Sequence, residues 1–378
     1  MIQQQSAVLA KGNEMKLSIV IPVYNIGSTI ERALKSIQRQ SFKDYEIILI
    51  DDGSTDDTCD YLRKAAQEDA RLYVHTIENQ GPGHARNYGV ELARGDYILF
   101  IDSDDVLVDG ALELLIQKMD ETKADLLIFG FILTDAQLNE RSRYSYRNEL
   151  FDLEADPKVL STTFSKLYRN NLLNQVWNKV YRRKLLIDCQ IRFTDYRYGE
   201  DRLYVFDAMQ VAKKIATIED CCYLYVVGKS SSLINQYYEP KLTCCRLINE
   251  RVRYLADLWG AGSPEDTAVF DYMYLKGMLS CMVQLFDKTC PLSFREKRRY
   301  MKDILQERQI RELSRIKLKY GLTTFILQYI LKTGWVWLNM ASGALIALIS
   351  KRLPNLFFKL KHPAKINANE ADTDAPQS

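Results

Sequence analysis

Apolar runs and amphipathic stretches alternate along residues 16–131, and this alternation constrains the fold more than any other feature of the sequence. Each run is short and almost continuously apolar, which is typical of strands buried on both faces of a parallel sheet. The pattern predicts an α/β fold: a mostly parallel sheet with helices on both faces, which binds its ligand at the carboxyl ends of the strands. The predicted strands are Leu17–Val23, Glu46–Ile50, Leu72–Ile77, Tyr97–Ile101 and Leu126–Phe131.

Acidic clusters follow two of these strands, DDGSTD over residues 51–56 and DSDD over residues 102–105. Both should face one crevice, because the carboxyl ends of parallel strands meet at the same edge of a sheet. Carboxylates held this close raise each other's pKa, and a divalent cation removes that penalty. Asp102 and Asp104 point to the same side of an extended segment and form a candidate Mg²⁺ or Mn²⁺ site. The alternative is that DSDD only caps the helix predicted at Asp109–Glu121.

The usual phosphate-binding loops do not occur in the sequence. No G-x-G-x-x-G opens a helix, no G-x-x-x-x-G-K-[ST] is present, and Gly81-Pro82-Gly83 is too short to replace them. A nucleotide in this crevice would therefore be held by carboxylates at its base or ribose and through a metal at its diphosphate. Asp52 is placed for a base or ribose contact, and its alternative role is a turn or cap residue in D-G-S-T.

The alternation fades after residue 132. Residues 134–158 are polar and rich in Tyr and Arg, which predicts a loop beside the site. Further along, Gly199-Glu200-Asp201 introduces a helix. Asp201 is either a cap of that helix or, if it reaches the crevice, a general base.

The eight cysteines are too sparse for a disulfide scaffold, and their adjacent pairs lack the C-x-x-C spacing of a zinc site. Together with the lack of a secretory signal before the first strand, they predict reduced core thiols in a cytosolic protein. The first residues show no periodicity, and Met15 is a possible true start.

The C-terminal third combines a basic helical stretch with an apolar one. Arg295–Lys319 contains ten Lys/Arg against four acids, and Thr333–Ser350 is eighteen residues without charge, at the lower limit for a membrane span. A buried core helix is the alternative, but Trp335, Trp337 and the basic neighbours favour an interfacial membrane anchor. A membrane surface is therefore the expected partner, and nucleic acid is not. The predicted organisation is a disordered extension over 1–15, a domain over 16–240 with halves 16–131 and 132–240, a helical region over 241–320, a membrane-associating segment over 321–363 and a disordered tail over 364–378.

Four motifs occur in the order LSIVIPVYN, IILIDDGSTD, NQGPGHARNYG and YILFIDSDD. In this order and at these gaps they resemble the family 2 glycosyltransferases, which have the GT-A fold. Further along, WNKVYRR and GED are similar to segments of the bacterial members. The resemblance is strong over residues 16 to about 130 and continues more weakly to about residue 236.

The resemblance implies transfer of a sugar from a nucleotide diphosphate sugar, with UDP the favoured nucleotide and inversion at the anomeric carbon. By motif, Asp52 would hydrogen-bond the base, Asp104 would be the principal ligand of Mn²⁺ or Mg²⁺, and Asp102 would face the ribose or the metal. Asp201 would be the general base that deprotonates the acceptor hydroxyl, with Glu200 beside it. The other positions implied to bind the nucleotide sugar are Pro22, Val23, Tyr24, Asn25, Ser103 and, near the diphosphate, Arg86.

Trp177, Asn178 and Lys179 resemble the family's acceptor-side segment, and the alternative is a core Trp beside a solvated Lys. The sequence lacks the Q-x-x-R-W of the processive synthases and a bundle of transmembrane helices, which favours addition of one or a few sugars. With its basic, apolar C-terminal region, the chain resembles bacterial enzymes of surface polysaccharide assembly. Such an enzyme would act on a glycan or lipid-linked acceptor, as a cytoplasmic protein peripherally associated with the inner face of the plasma membrane.

Two other function classes fit parts of the sequence. A nucleotidyltransferase also places metal-binding carboxylates on an α/β sheet, but no Gly-rich basic loop near the first strand is present to hold a triphosphate. A catalytically degenerate GT-A domain could serve as a membrane-bound assembly partner. The presence of Asp52, Asp102, Asp104 and Asp201 together speaks against that second alternative.

Overall fold

A computed structural model describes residues 15–227, 236–313 and 328–352. The chain divides into two compact units, one of Met1–Ser231 with Arg246–Phe270 and one of Ser232–Cys245 with Asp271–Ser378. The predicted tail over 364–378 and all but the last residue of the predicted extension over 1–15 lie outside the described residues. The boundary predicted at residues 240/241 stays a prediction.

The first unit is built on a sheet whose first half is parallel, in the order β3 (Leu72–Thr76), β2 (Tyr45–Asp51), β1 (Leu17–Val23) and β4 (Tyr97–Phe100). These four strands confirm the predicted alternation, because a helix follows each of β1, β2 and β3. All seven residues of β1 and of β2 are buried, which explains their nearly continuous apolar sequence.

The second half of the sheet is mixed in direction. It continues from β4 in the order β9 (Lys179–Arg182), β6 (Leu126–Thr134), β10 (Lys214–Val226) and β5 (Val106–Leu107). Strand β9 is antiparallel to both β4 and β6, and β10 is parallel to β6. The fold class predicted from sequence is therefore confirmed, with antiparallel strands added on one side. Two further strands of the sheet are β7 (Glu140–Tyr144) and β8 (Glu149–Asp152).

The loop predicted over residues 134–158 is wrong, since the segment contains β7 and β8. β7 pairs antiparallel with β6, and β8 pairs antiparallel with β10. Both strands are mainly polar and mostly exposed or half-buried, so they lack the apolar run by which the five predicted strands were recognised.

Helix α3 brings the NQGPGHARNYG motif against the sheet. Its close approach to β1 requires glycine at position 89, because a Cβ there would lie 2.3 Å from Val20 Cγ1. The helix starts at Pro82 behind Gly81, whose φ of 100° is open only to glycine. The helices of this part are α1 (Ile30–Gln38), α2 (Thr58–Glu68), α3 (Pro82–Leu92), α4 (Ala111–Thr122), α5 (Phe164–Arg169), α6 (Arg183–Asp188) and α7 (Glu200–Val211).

The described residues after 236 are mainly helical, as expected for the C-terminal region. The long helices α8 and α9 each begin in one unit and end in the other. Within the described residues, no helix is both long enough and apolar enough to cross a membrane. These helices are α8 (Lys241–Trp259), α9 (Pro264–Gln284), α10 (Phe294–Gln306), α11 (Arg308–Leu313) and α12 (Val336–Arg352).

Candidate active site

The two acidic clusters meet at one edge of the sheet because β1 lies between β2 and β4. In the strand register Val23 pairs with Asp51, at the end of β2, and Val20 pairs with Phe100, at the end of β4. DDGSTD and DSDD therefore flank the carboxyl end of the same central strand, as the sequence predicted.

A single buried arginine joins two of the predicted functional carboxylates. Arg86 Nη2 donates to Asp102 Oδ1 at 2.7 Å, and Arg86 Nη1 donates to Asp201 Oδ1 at 3.1 Å. The Arg86 side chain is 5% exposed, against 27% for Asp102 and 22% for Asp201. Burial alone would lower the pKa of Arg86, but the charges of Asp201 and Asp102 raise it by more than burial lowers it. The guanidinium therefore stays charged. The arginine predicted near a diphosphate thus sits between one carboxylate predicted to face the metal or ribose and one predicted to act as general base.

Crowding in DSDD has the predicted electrostatic effect. Burial raises the pKa of Asp102; Arg86 opposes that shift, and the charges of Asp201 and Asp104 reinforce it. Asp105 is fully buried and accepts from Tyr223 Oη at 2.9 Å and from the backbone N–H of Val226 at 2.8 Å. Its pKa lies well above the usual range because of burial and of the charges of Asp102 and Asp104.

The alternative role of DSDD as a helix cap is not what the structure shows. Helix α4 starts at Ala111 behind Gly110, with no side-chain hydrogen bond at its cap. Asp105 instead anchors the loop after β4 to β10. Ser103 is half-buried in the same loop, between the two candidate metal ligands.

Glu200 and Asp201 occupy the first turn of α7, and neither is its cap. The cap position is Gly199, with a φ of 76° and no side-chain hydrogen bond. Burial, reinforced by the charge of Asp201, raises the pKa of Glu200 from 4.5 to about 7. Glu200 also lines a cleft of about 300 Å³ between the loop that starts at Asn79 and the segment Phe193–Arg197. The carboxylate of Glu200 is therefore protonated over part of the neutral range.

Asp52 is buried, and its carboxylate organises a loop at the crevice. Its Oδ1 accepts from the backbone N–H of Gln80 at 2.9 Å, and its Oδ2 accepts from that of Gly81 at 2.8 Å. These bonds tie the end of β2 to the start of α3. Each oxygen has a second lone pair, so the carboxylate keeps acceptor capacity for a ligand.

The Pro22–Asn25 segment leads from the buried end of β1 into the crevice. Pro22 and Val23 are buried in the strand, whereas Tyr24 is 47% exposed. Asn25 has a φ of 48°, and its Oδ1 accepts from the backbone N–H of Thr55 at 2.8 Å. This turn is thereby fixed to the DDGSTD loop.

The acceptor-side role expected for Trp177, Asn178 and Lys179 does not agree with their positions. Trp177 is 2% exposed and stacks on Tyr223 at 4.4 Å, while Asn178 and Lys179 have no exposed surface. Of the alternative, the core position of Trp177 is confirmed, and the solvated position of Lys179 is wrong. Lys179 Nζ donates to Leu172 O, Gln175 O and Asn178 Oδ1 at 2.6–2.7 Å. Burial holds the pKa of Lys179 well below its usual range, and nearby Asp201 opposes that shift.

Tyr223 is the residue of this region that the sequence did not indicate. Besides its bond to Asp105, its hydroxyl accepts from the backbone N–H of Asp102 at 3.1 Å. It lies 121 residues along the chain from Asp102 and belongs to β10, in the mixed half of the sheet. No local pattern in the sequence signals such a long-range contact.

The carboxylates fit a divalent cation that a bound ligand helps to hold. Among the residues that the structure describes, no group of three or more His, Cys, Asp or Glu side chains forms a complete metal site. Mg²⁺, however, is ordinarily held by one or two carboxylates, water and substrate phosphates. Burial first, and then the charges of Asp201 and Asp104, raise the pKa of Asp102. A cation beside Asp102 would neutralise part of this negative charge.

Comparison with known proteins identifies the class to which this fold and site belong. The sequence profile described as Glycosyl transferase family 2 matches residues 18–189. Glycosyltransferase GlyG of Streptococcus pneumoniae serotype 4 is 30% identical over 227 residues, which are 55% of this chain and 70% of that protein. The chain belongs to glycosyl transferase family 2, as its motifs indicated.

A second relative and a solved structure complete the comparison. GalNAc(5)-diNAcBac-PP-undecaprenol beta-1,3-glucosyltransferase of Campylobacter jejuni is 35% identical over 174 residues, 44% of this chain and 56% of that protein. The crystal structure of S. aureus TarS 1-349 in complex with UDP-GlcNAc has a TM-score of 0.58 and 21% identity, covering 90% of this chain and 92% of that one. That likeness shows the GT-A fold.

Several relatives are longer than the region they share with this chain. The chain spans 65% of the uncharacterized glycosyltransferase EpsJ of Bacillus subtilis and 34% of the poly(ribitol-phosphate) beta-glucosyltransferase of Bacillus spizizenii. Similarity to these proteins therefore describes the glycosyltransferase domain and not their full length.

Proposed function

We propose that this protein transfers a sugar from a nucleotide diphosphate sugar to a hydroxyl group of a glycan or lipid-linked acceptor. The observation that carries the proposal is the Arg86 bridge, which holds Asp102 and Asp201 in one crevice at the carboxyl ends of the strands. Arg86 holds Asp102, which would face the metal, and Asp201, which would act as general base, on either side of its guanidinium. This arrangement suits displacement of a diphosphate by an acceptor hydroxyl at a sugar bound beside them. Family membership agrees with this chemistry.

The donor would lie along the end of β1. Asp52 and the Pro22–Asn25 turn face the base and ribose, and Asp102 with Asp104 faces the diphosphate. UDP is the favoured nucleotide, and TarS, which shares the fold, was crystallised with UDP-GlcNAc. Asp104 and Asp102 would hold Mn²⁺ or Mg²⁺, which would supply positive charge to the leaving diphosphate.

The reaction would be a single displacement with inversion. The acceptor oxygen forms a bond to the anomeric carbon while the bond to the diphosphate oxygen breaks, and the diphosphate leaves with that electron pair. Asp201 takes the proton of the acceptor hydroxyl as general base. No covalent intermediate with a carboxylate is needed. Arg86 orients the base through its bond to Asp201 Oδ1.

Surface polysaccharide assembly is the favoured setting. The Campylobacter relative is named for an undecaprenol-linked acceptor, and the curated relatives cited above are bacterial proteins. The competing proposal is a degenerate GT-A domain that assists assembly without turnover. The charges of Asp104 and Asp201 act on Asp102, and Asp52 follows β2 at the same edge of the sheet, which favours the enzyme.

Donor binding provides the direct test. The melting temperature of the purified chain is measured with Mn²⁺ against nucleoside diphosphates and their sugars, because a ligand of the folded state raises it by mass action. We expect a metal-dependent rise with one nucleotide series, lost in Asp104→Asn and kept in the control Asp109→Asn, whose side chain is 75% exposed. The absence of any rise in melting temperature in folded wild-type protein would contradict this proposal and favour the degenerate GT-A domain.

A further inference from the structure

Helix α12 in the second unit is apolar on two opposite faces, but only one of them is covered. Its inner face includes Met340 and Ala347, which are 4% and 6% exposed. At Gly343 this face packs so closely on Phe286 that a Cβ would lie 3.0 Å from the ring. A helix with apolar residues all round needs an apolar environment all round.

The outer face of α12 is a continuous apolar stripe in contact with water. Leu345 is 56% exposed, Leu348 48% and Trp337 57%. These positions recur at helical spacing, with exposed Ala341 between them, so they form one surface. Trp335, just before the helix, is 72% exposed. Soluble proteins seldom leave such a stripe uncovered unless it binds something.

Basic residues of α10 border this stripe directly. Arg298 lies over the Trp337 ring at 5.4 Å, and Phe294, one turn earlier, lies 5.6 Å from the same ring between centroids. Helix α10 carries five Lys/Arg and two acids, and its arginines at 295 and 299 are exposed. Tryptophan and arginine side chains with an apolar body and a polar end are suited to the boundary between lipid headgroups and acyl chains.

We propose that the outer face of α12, together with the basic side of α10, is a docking surface for a membrane that contains anionic lipids. Apolar side chains would enter the headgroup boundary while the arginines of α10 pair with lipid phosphates. A second copy of the chain suits this face less, because a twofold contact would bring two net-basic α10 helices near each other. The surface is independent of the proposed sugar transfer, since it uses none of the crevice residues.

Cosedimentation of the full chain with vesicles tests the surface. We expect binding to vesicles that contain phosphatidylglycerol, weak binding to phosphatidylcholine alone, and loss of the difference at high salt. Leu345→Gln with Leu348→Gln should reduce binding about tenfold or more, because burial of two leucines in the interface is lost. The matched control is Leu150→Gln with Ile187→Gln, which alters side chains of the first unit that are 46% and 45% exposed.

The contribution of the α10 arginines to vesicle binding is tested with a separate variant. A folding defect in the leucine variant then does not decide whether the surface binds membranes. Arg295→Glu with Arg299→Glu should weaken binding to anionic vesicles only, whereas Lys64→Glu with Lys166→Glu, which alters exposed lysines of the first unit, should leave it unchanged. Equal vesicle binding by the leucine variant and wild type, or no binding by wild type, would overturn the proposal. A dimer in sedimentation that Leu345→Gln dissociates, without vesicle binding, would assign the face to a second copy.

Discussion

Arg86 Nη1 lies 3.1 Å from Asp201 Oδ1, and the same guanidinium donates to Asp102 at 2.7 Å. The two carboxylates are far apart in sequence and would repel each other without this cation between them. Among the described residues Arg86 Nε has no hydrogen-bond partner, so both hydrogen bonds to the carboxylates are made by the terminal nitrogens. A substrate diphosphate that pairs with the Arg86 guanidinium would therefore change the hydrogen bonding of Asp201, the proposed base.

Two replacements of Arg86 should distinguish the effect of its positive charge from the effect of its two simultaneous hydrogen bonds. Arg86→Lys keeps a positive charge but reaches one carboxylate at a time, so we expect turnover to fall about tenfold or more with little loss of stability. Arg86→Met should also lower the free energy of unfolding by about 2–4 kcal/mol, because two partly buried carboxylates lose their partner. Denaturant unfolding and initial rates measure the two effects. Arg192→Lys, in an exposed pair with Glu91, is the control, and equal behaviour of the two lysine variants would contradict the bridge.

Asp201→Asn should leave donor binding almost intact while turnover falls by about 10² or more, because the amide cannot accept the proton of the acceptor. Its oxygen can still accept from Arg86, so the fold is retained. The thermal shift with donor and the steady-state rate are measured in parallel. Asp195→Asn, which alters an exposed acid of the cleft beside Glu200, should leave both unchanged. If Asp201→Asn abolished donor binding instead, the residue would be structural.

Glu200 should make the protein less stable as pH rises. Its pKa is raised in the folded state from 4.5 to about 7, so between these values the folded chain retains a proton that the unfolded chain has released. The free energy of unfolding contributed by this group therefore falls as pH rises through that window. Glu200→Gln, which imitates the protonated acid, should flatten this part of the stability profile measured by urea unfolding. The same slope in variant and wild type would contradict the assignment.

Lys179 should matter for stability more than for contact with an acceptor. Lys179→Met removes the donor to Gln175 O and Asn178 Oδ1 and leaves Leu172 O with the bond from Asn178 Nδ2 alone. We expect the free energy of unfolding to fall by about 2–4 kcal/mol, because each unsatisfied buried acceptor carries a desolvation cost. Lys184→Met removes a 79% exposed lysine and should change it by less than about 0.5 kcal/mol. A stable Lys179→Met with altered acceptor KM would restore the acceptor-side role.

The sequence by itself determined the parallel half of the sheet and the positions of both acidic clusters. These features depend on local sequence. An apolar run indicates a strand buried on both faces of the sheet, and a cluster of carboxylates at its end marks the edge of the sheet where ligands bind. The same dependence on local sequence explains why the loop predicted over residues 134–158 was wrong. The edge strands there are polar, and what holds them is backbone pairing with β6 and β10.

Only the tertiary structure decided which side chains meet. Arg86 and Asp201 are separated by 115 residues, and Asp105 and Tyr223 by 118. Trp177, Asn178 and Lys179 carry polar or amphipathic groups that suit a surface, yet all three are buried because nearby carbonyls and aromatic rings satisfy them. Sequence patterns record the preference of each residue for water or for the core, whereas the partner that lets a charge be buried is supplied by a distant segment.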